Sequence, residues 1–366
     1  MSMNRRIFVL GSAAAGVMSA QSKDPVPTGM IGIGNRGTLL LRGVLDQPDA
    51  KLVALCDIKP DRLDKAATTA ASKSPATYSD WHKIIDNKDI HAVFIATPPY
   101  LHSEMAVAAL KAGKNVYCEK PVGVTPAQVR AVVEAAKGSK SVFTAGQQMR
   151  SSKMYQQEIG KIREGAIGDV LMVKAQRHAA ADINHNGSSG DWYFDVSKGG
   201  GYIIEQSVHN LDLCNWAIGA HPQRAAGFGA TMLYKNDPPG RTIFDCGSIT
   251  YQYPGGVELS FTQNVFHPSK MPNGGQYVYV YGSKAALDLM SGQMYPLGEG
   301  SPSELAPKEK LDNFAHINAF YNCVTKGGPN PAGIVIGATA ALTSILGHQA
   351  MSTGKVVTWT DLGVDV

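Results

Sequence analysis

The chain reads Met30-Ile31-Gly32-Ile33-Gly34-Asn35-Arg36-Gly37 where an apolar run passes directly into a glycine-rich turn, and a helical pattern over residues 38–45 follows. In a turn with this G-x-G-x-x-G spacing, Gly32 makes the tight bend, Gly34 lets a pyrophosphate approach the backbone, and Gly37 lets the helix pack closely. The helix N-terminus adds free N–H donors and the positive end of the helix dipole. The stretch therefore predicts a dinucleotide site between a strand and a helix.

An acidic residue follows this turn at the spacing that dinucleotide sites use. Asp57 ends the second apolar run, 20 residues after Gly37. A carboxylate in that position accepts hydrogen bonds from ribose hydroxyls and repels a 2′-phosphate, which favours NAD over NADP. Three nearby cations, Arg36, Lys59 and Arg62, would weaken this preference. We predict NAD as the cofactor, held by a set of turn residues together with the acid: Gly32, Gly34, Asn35, Arg36, Gly37 and Asp57.

The first half of the chain continues as an alternation of β-rich runs and helical patterns. Strands are predicted at residues 30–33, 52–57, 92–96, 115–119 and 142–146, and helices at 38–45, 61–71, 101–112 and 126–136. The last helix begins with Thr125 as N-cap and Pro126 in its first turn. This alternation indicates a doubly wound parallel sheet of the Rossmann type, an α/β fold, over residues 28–150.

The second half has a different texture. A helix is expected at residues 153–164, strands at 169–177, 246–253, 257–265 and 276–281, and a final helix at about 333–351. The strands alternate or run apolar between Gly and Pro turns, as antiparallel strands do. We predict a C-terminal α+β domain over residues 151–366, built on a large open, mostly antiparallel sheet, with the last helix packing back on the body. A chain of 366 residues is long enough for two such domains.

The N-terminus predicts export. Arg5-Arg6 precede apolar residues 7–10 and a small-residue stretch, 11–20, that together are too short to span a bilayer. This arrangement resembles the twin-arginine motif, whose machinery carries folded proteins. We expect residues 1–27 to be signal and leader and the protein to be periplasmic; a disordered basic start is the alternative. Cleavage stays open, because Met18 occupies the −3 position if the cut follows Ala20.

Charge and cysteine content exclude several classes of partner. The net charge is +4, and no basic run carries interleaved aromatic residues, so a nucleic-acid partner is not expected. The five cysteines include no C-x-x-C pair, so neither a disulfide framework nor a metal site is predicted. Free cysteines fit folding in the reducing cytoplasm before export.

Two further motifs resemble one family. Residues 96–102 read A-T-P-P-Y-L-H and residues 112–121 read A-G-K-N-V-Y-C-E-K-P. These runs resemble the glucose-fructose oxidoreductase / inositol dehydrogenase (Gfo/Idh/MocA) family, and the likeness continues through residues 146–150 and Gly200-Gly201 to His209 and Asp212. The resemblance implies a Rossmann domain, a second domain with a large open sheet, and the family's frequent oligomerisation through that sheet, so a homodimer or homotetramer is expected. By motif match it places four further residues at the cofactor: Thr97, Pro98, His102 and Glu119. A histidine at a helix start, however, more often caps or packs.

The predicted catalytic residues are Lys120, His209 and Glu205. Lys120 follows a strand at the sheet edge where doubly wound sheets bind ligands, and in the family this lysine lies beside nicotinamide and substrate. A surface lysine in a turn is the alternative. Glu205, His209 and Asp212 are spaced i, i+4, i+7, one face of a helix. A histidine there suits the removal of a hydroxyl proton, unless it is a satisfied core histidine.

The residues around His209 leave roles open. The family carries D-x-x-x-H-x-x-D here, so Glu205 replaces the first aspartate with an arm one methylene longer and is assigned to catalysis. Asp212 matches the second acid and either orients His209 or supports the fold. Arg150, beside Gln148, either contacts substrate or bridges the domains. Substrate contacts are predicted for Arg150, Trp192, Tyr193 and Asp212, the two aromatics by stacking on a sugar face unless they anchor a loop. His178 and His185 lack metal-like spacing.

Three functions follow in order. The first is an NAD-dependent oxidoreductase that transfers hydride at a secondary hydroxyl of a sugar, glycoside or cyclitol. The second is an NAD-dependent glycoside hydrolase like family 109, which oxidises the sugar transiently before elimination; Glu205, His209 and Tyr202 would supply its acid and base. The third, a non-catalytic binding protein, is disfavoured by the presence of both Lys120 and His209.

Overall fold

A computed structural model describes residues 24–180, 190–271, 275–306 and 312–366. Residues 1–23 of the predicted signal and leader lie outside the described residues, as does His185. The leader was predicted to extend to residue 27, but the first strand already begins at Val26. Within these ranges the chain forms two sheets, a parallel one of six strands and a larger one of nine. The predicted fold class is confirmed.

The first sheet has the strand order β3-β2-β1-β4-β5-β6, and all its pairs are parallel. Its strands are β1 (Val26–Ile31), β2 (Ala50–Cys56), β3 (Ala76–Tyr78), β4 (Ala92–Ile95), β5 (Asn115–Cys118) and β6 (Phe143–Ala145). Its helices are α1 (Asn35–Leu45), α2 (Pro60–Thr69), α3 (His82–Ile85), α4 (His102–Lys111) and α5 (Pro126–Lys137). The order reverses beside β1, and ligands bind outside the strand ends at such a reversal. The sequence prediction missed β3, a three-residue edge strand with no apolar run.

The second sheet has the order β14-β13-β12-β11-β7-β10-β9-β8-β15. Only β7 and β10 pair in parallel; the other described pairs are antiparallel. Its strands are β7 (Val170–His178), β8 (Arg224–Ala230), β9 (Cys246–Gln252), β10 (Glu258–Asn264), β11 (Gln276–Gly282), β12 (Ala285–Asp288), β13 (Gln293–Pro296), β14 (Ser303–Glu304) and β15 (Val357–Thr358). The accompanying helices are α6 (Lys153–Arg163), α7 (Val196–Gly199), α8 (Tyr202–Glu205), α9 (Val208–Ile218), α10 (Ala315–Lys326) and α11 (Ile334–Thr353).

Helices α10 and α11 connect the two halves. The predicted last helix, α11, packs on β8, β9 and α9 and also on α5 of the first sheet. Among the described helices it alone is long and apolar enough to cross a membrane, but 67% of its apolar window is buried in the protein, so packing accounts for its composition. Helix α10 lies on the first sheet, where Phe320 meets Phe94 edge-on at 5.2 Å. The sequence prediction missed this helix and placed its residues in the second domain, because position in the chain does not show which sheet an apolar face covers.

Candidate active site

The glycine turn has the geometry that its sequence predicts. Gly32 has φ of +87°, and a Cβ there would lie 2.6 Å from the carbonyl oxygen of Ala96. A Cβ on Gly37 would overlap the carbonyl oxygen of Gly32. Both positions therefore require glycine, and Gly34 caps the N-terminus of α1. The result is an open helix N-terminus of the kind that holds a pyrophosphate.

Asp57 lies beside this turn with its carboxylate fixed. One oxygen accepts from the backbone N–H of Ile33 at 2.6 Å and the other from that of Lys59 at 2.8 Å. The acid thus stands between the ends of β1 and β2, with lone pairs left for ribose hydroxyls. This geometry fits the dinucleotide predicted from the sequence. The guanidinium of Arg62 lies beside Gly34, 3.3 Å from where a Cβ would be.

Arg36, assigned to the cofactor from the sequence, is engaged by other side chains of the protein. Its Nε donates to Glu119 Oε1 at 2.7 Å, and its Nη2 donates to Gln148 Oε1 at 2.7 Å and lies 3.2 Å from His316 Nε2. Burial raises the pKa of Glu119, but the charges of Arg36 and Lys120 outweigh it, and the pKa is lowered. Arg36 and Glu119 therefore form an ion pair, and Arg36 also contacts His316 of α10. A contact of either with the cofactor stays a prediction.

His102 ties together the two turns that carry the family motifs. Its Nδ1 lies 2.7 Å from the carbonyl oxygen of Pro121, and its Nε2 lies 2.8 Å from that of Thr97. The ring is buried, which lowers its pKa. These contacts favour the packing role that the sequence left open, rather than the assigned cofactor contact. They also fix the turn Thr97-Pro98 against the turn that presents Lys120.

Lys120 and Glu205 form an ion pair between the two halves of the chain. Lys120 Nζ donates to Glu205 Oε1 at 2.8 Å and to the backbone carbonyl of Glu205 at 2.5 Å. The side chains keep 12% and 13% of their surface exposed. The second carboxylate oxygen of Glu205 accepts from the amide of Gln206. Two predicted catalytic residues, 85 positions apart, are thus in direct contact.

His209 is held beside this pair by a residue that the sequence analysis did not assign. Its Nδ1 lies 3.1 Å from Gln147 Oε1, so a proton on Nδ1 leaves the lone pair on Nε2. Burial lowers the pKa of His209 well below its usual range, and the charges of Lys120, Arg177 and Arg36 lower it further. The imidazole is therefore neutral near pH 7 and able to accept a proton. Gln147 stood inside the matched motif 146–150, which was the available signal.

Arg150 and Asp212 form a second, more deeply buried pair. Arg150 Nε and Nη2 donate to the two oxygens of Asp212 at 2.8 and 2.7 Å. The side chains are 8% and 2% exposed, and the guanidinium carbon lies 4.4 Å from the ring centre of Trp216. Arg150 and Asp212, both predicted to contact substrate, thus use their hydrogen-bonding groups on each other. The geometry favours the alternatives that the sequence left open, a bridge between domains and support of the fold.

The predicted stacking residues lie in the turn Asp191–Phe194. Tyr193 is 1% exposed and packs edge-on against Phe194 at 5.3 Å, in a cluster with Ile243. A ring so enclosed cannot stack on a sugar, so Tyr193 anchors the loop, as the alternative held. Trp192 is partly buried and meets Tyr193 edge-on at 5.9 Å. In the described ranges no cluster of three or more His, Cys, Asp or Glu could hold a metal.

Two family models match the chain. Residues 26–147 match a model described as an oxidoreductase family with an NAD-binding Rossmann fold, and residues 155–288 match the GFO/IDH/MocA C-terminal domain. Among curated relatives, an inositol 2-dehydrogenase of Salmonella typhimurium is 36% identical over 52% of this chain and 54% of its own length. A glycosyl hydrolase family 109 protein of Stenotrophomonas maltophilia is 30% identical over 52% of this chain and 45% of its own. The chain thus spans about half the length of these curated relatives.

A solved structure supports the fold over nearly the whole chain. A levoglucosan dehydrogenase in complex with NADH and levoglucosan superposes with a TM-score of 0.79, covering 92% of this chain and 99% of that one. The two sequences are 19% identical, so this likeness concerns the fold.

Proposed function

Because the chain belongs to the Gfo/Idh/MocA family of NAD-binding oxidoreductases, we propose that it transfers hydride between nicotinamide and a secondary hydroxyl of a sugar, glycoside or cyclitol. The observation that carries the proposal is the neutral His209, held by Gln147 at 3.1 Å next to the pair of Lys120 and Glu205. A base and a cation at one site are what alcohol oxidation requires, since a proton leaves oxygen while negative charge develops there.

The protein side of the reaction follows from these contacts. The glycine turn and Asp57 would hold NAD, which when bound supplies the ring that accepts or returns hydride. His209 Nε2 takes the proton of the substrate hydroxyl. Lys120 Nζ donates a hydrogen bond to the same oxygen and stabilises its developing charge. Glu205 holds Lys120 at the edge of the site, so the cation is already in position when substrate arrives.

The test is to incubate the purified protein with a panel of inositols, sugars and aryl glycosides, with and without added NAD, and to follow NADH and free aglycone together. The proposal expects NADH in proportion to oxidised sugar. His209→Ala should lower the rate by about a hundredfold or more, the range for loss of a general base. An active His209→Ala enzyme would overturn the assignment of the base.

An NAD-dependent glycoside hydrolase is the second candidate, supported by the family 109 relative at 30% identity and by glutamate at position 205. Such an enzyme would release aglycone without net NADH and would exchange a ring hydrogen for solvent deuterium, because its oxidation is reversed after elimination. Catalytic aglycone release with this exchange would replace the dehydrogenase with the hydrolase. Both reactions begin with His209, so the mutant alone does not separate them.

We also propose periplasmic export with the cofactor already bound. The support is the Arg5-Arg6 motif, since folded export lets NAD be loaded before transport. Protein isolated from periplasm without added cofactor should release NAD on denaturation, and Arg5→Lys with Arg6→Lys should leave the protein in the cytoplasm. Release of NADP instead would contradict the role given to Asp57, and periplasmic protein free of nicotinamide would contradict cofactor loading.

We propose a homo-oligomer formed through the open sheet. The outward side of β7 and β11 presents Met172, Tyr279 and Tyr281 in adjacent register, and Met172 is 40% exposed. Met172 lies opposite Tyr281 and the exposed Lys174 lies opposite Tyr279, which stacks on Tyr277 at 4.4 Å. Partly exposed aromatic residues of this kind are enriched at protein interfaces. Light scattering should give a mass of at least two chains, and Met172→Glu should reduce it; a monomeric wild type contradicts the proposal.

A further inference from the structure

The middle of the second sheet carries cross-strand rows of side chains on the side that the helices cover. Two rows are apolar and buried, Leu259-Val173-Val280 and Phe261-Ala175-Val278. The next row, at the end of β7, is Gln263-Arg177-Gln276. The period of a strand places the three rows on one face, so Arg177 emerges where the apolar cover ends.

Among the residues that the structure describes, Arg177 is held in place by neutral groups alone. Its Nη1 donates to Gln276 Oε1 at 2.5 Å, and its Nη2 donates to Gln206 Oε1 at 3.2 Å. Gln206 in turn donates to Glu205, the partner of Lys120. Arg177 is therefore one side chain removed from the ion pair of the active site, and it is half-buried.

The charges around His209 do not balance. Three cations act on its imidazole, namely Lys120, Arg177 and Arg36. Lys120 is paired with Glu205 and Arg36 with Glu119. Among the described residues, no carboxylate lies within the 4.0 Å of an ion pair from Arg177. Within the described ranges, one positive charge is therefore left without a counter-ion.

A half-buried guanidinium that is held by neutral acceptors keeps an uncompensated charge, and an anion that reaches it gains charge-assisted hydrogen bonds. Its planar fork matches an oxyanion with two parallel hydrogen bonds. Resting on the proposed function, we propose that Arg177 binds an oxyanion carried by the sugar substrate, so that the preferred substrate is an acidic sugar, bearing a carboxylate or a phosphate ester, rather than a neutral one. The two glutamines orient the guanidinium, and the site of hydride transfer is unchanged.

The test measures binding, so that it does not depend on turnover. NAD-loaded enzyme is titrated by calorimetry with D-glucuronate, D-glucose 6-phosphate and D-glucose at fixed ionic strength. Arg130→Met is the matched control, because Arg130 is an exposed arginine on α5 that donates to a neutral acceptor, the carbonyl oxygen of Gly363. Wild type and Arg130→Met should bind at least one acid about tenfold or more tightly than glucose, the range for hydrogen bonds to a charged group. The acid that gains identifies the oxyanion.

Arg177→Met should reduce that preference to less than about threefold, because the charge and the fork are both lost. If this variant does not fold, Arg177→Lys is decisive, since it keeps the charge and loses the fork; its preference should fall by about threefold to tenfold. Equal affinity of wild type for acids and glucose overturns the proposal, as does an unchanged preference in the folded variant. If acids bind more tightly but no NADH forms, the anion-binding role of Arg177 is supported and the proposed hydride transfer is contradicted. If neutral sugars are oxidised and acids are not preferred, hydride transfer is supported and the role of Arg177 is contradicted.

Discussion

Among the described residues, two ion pairs near the candidate site connect the halves of this protein, and they are built differently. Arg150 and Asp212 form two parallel hydrogen bonds, nearly without exposure, under the ring of Trp216. Lys120 and Glu205 share a single carboxylate contact at 2.8 Å and remain partly exposed. In the first pair, two guanidinium donors and both carboxylate oxygens are bonded in a single fixed geometry. In the second pair, the cation is a compact ammonium at the end of a flexible side chain.

This difference indicates a structural role for the arginine pair and a catalytic role for the lysine pair. A guanidinium locked to a carboxylate by two hydrogen bonds has little to offer a substrate, and removing one partner strands a buried charge. An ammonium with three rotatable donors can keep one contact to Glu205 and direct another donor to a substrate oxygen. We therefore expect loss of the arginine pair to be measured in stability and loss of the lysine pair in rate.

The largest effect is expected for Asp212→Ala. It leaves Arg150 buried without its anion, so the free energy of unfolding should fall by about 3–5 kcal/mol. Denaturant titration measures this. Asp64→Ala on the exposed face of α2 is the control and should change stability by less than about 0.5 kcal/mol. A loss below about 1 kcal/mol for Asp212→Ala would show that the pair is not the structural bridge.

Lys120→Met should show the opposite pattern. Turnover should fall by at least about a hundredfold, as expected for one preorganised charged donor. The free energy of unfolding should fall by less than about 2 kcal/mol, because Glu205 keeps the amide of Gln206 and contact with water. Steady-state kinetics and denaturation of the same preparation check both numbers. Unchanged turnover, or a stability loss equal to that of Asp212→Ala, would break the distinction.

Variants of Gln147 test how the base, His209, is oriented. Burial and neighbouring cations lower the pKa of His209, and its neutral form accepts the proton, so the rate should fall only when the pH drops below 6.5. Gln147→Leu removes the acceptor for Nδ1–H and should lower kcat/KM by about tenfold. Gln147→Glu has the same shape and adds a negative charge, which raises the pKa of His209 and should move the acid limb up by about one pH unit. Profiles that do not move in either variant would remove Gln147 from the site.

Glu205→Asp is expected to have the smallest effect. The shorter arm loses the carboxylate contact with Lys120, but the backbone carbonyl at position 205 still accepts from Nζ at 2.5 Å. Turnover should therefore fall only by on the order of threefold. Separate measurement of kcat and KM checks this. A loss of a hundredfold would mean that the carboxylate itself moves a proton, which would favour the hydrolase chemistry.

Much of the cofactor half follows from local sequence. Gly32, Gly37 and Asp57 lie within one strand–turn–helix–strand unit. The positive φ at Gly32 and the close backbone approach at Gly37 admit only glycine. The central strands are apolar runs, because both faces of a parallel sheet are covered. In contrast β8, which is Arg-Ala-Ala-Gly-Phe-Gly-Ala, was not predicted, since Ala and Gly carry little strand preference.

The partners of the site residues could not be read in this way. Lys120 meets Glu205 across 85 positions, Arg150 meets Asp212 across 62, and Arg36 meets His316 across 280. The sequence by itself supplied the chemical type of each residue and its place on a strand end or a helix face. The packing of the two sheets and α10 decides which cation pairs with which acid. It also leaves Arg177 without an acidic partner among the described residues. Burial and charge pairing are set by that packing, because they depend on distance in space and not on separation along the chain.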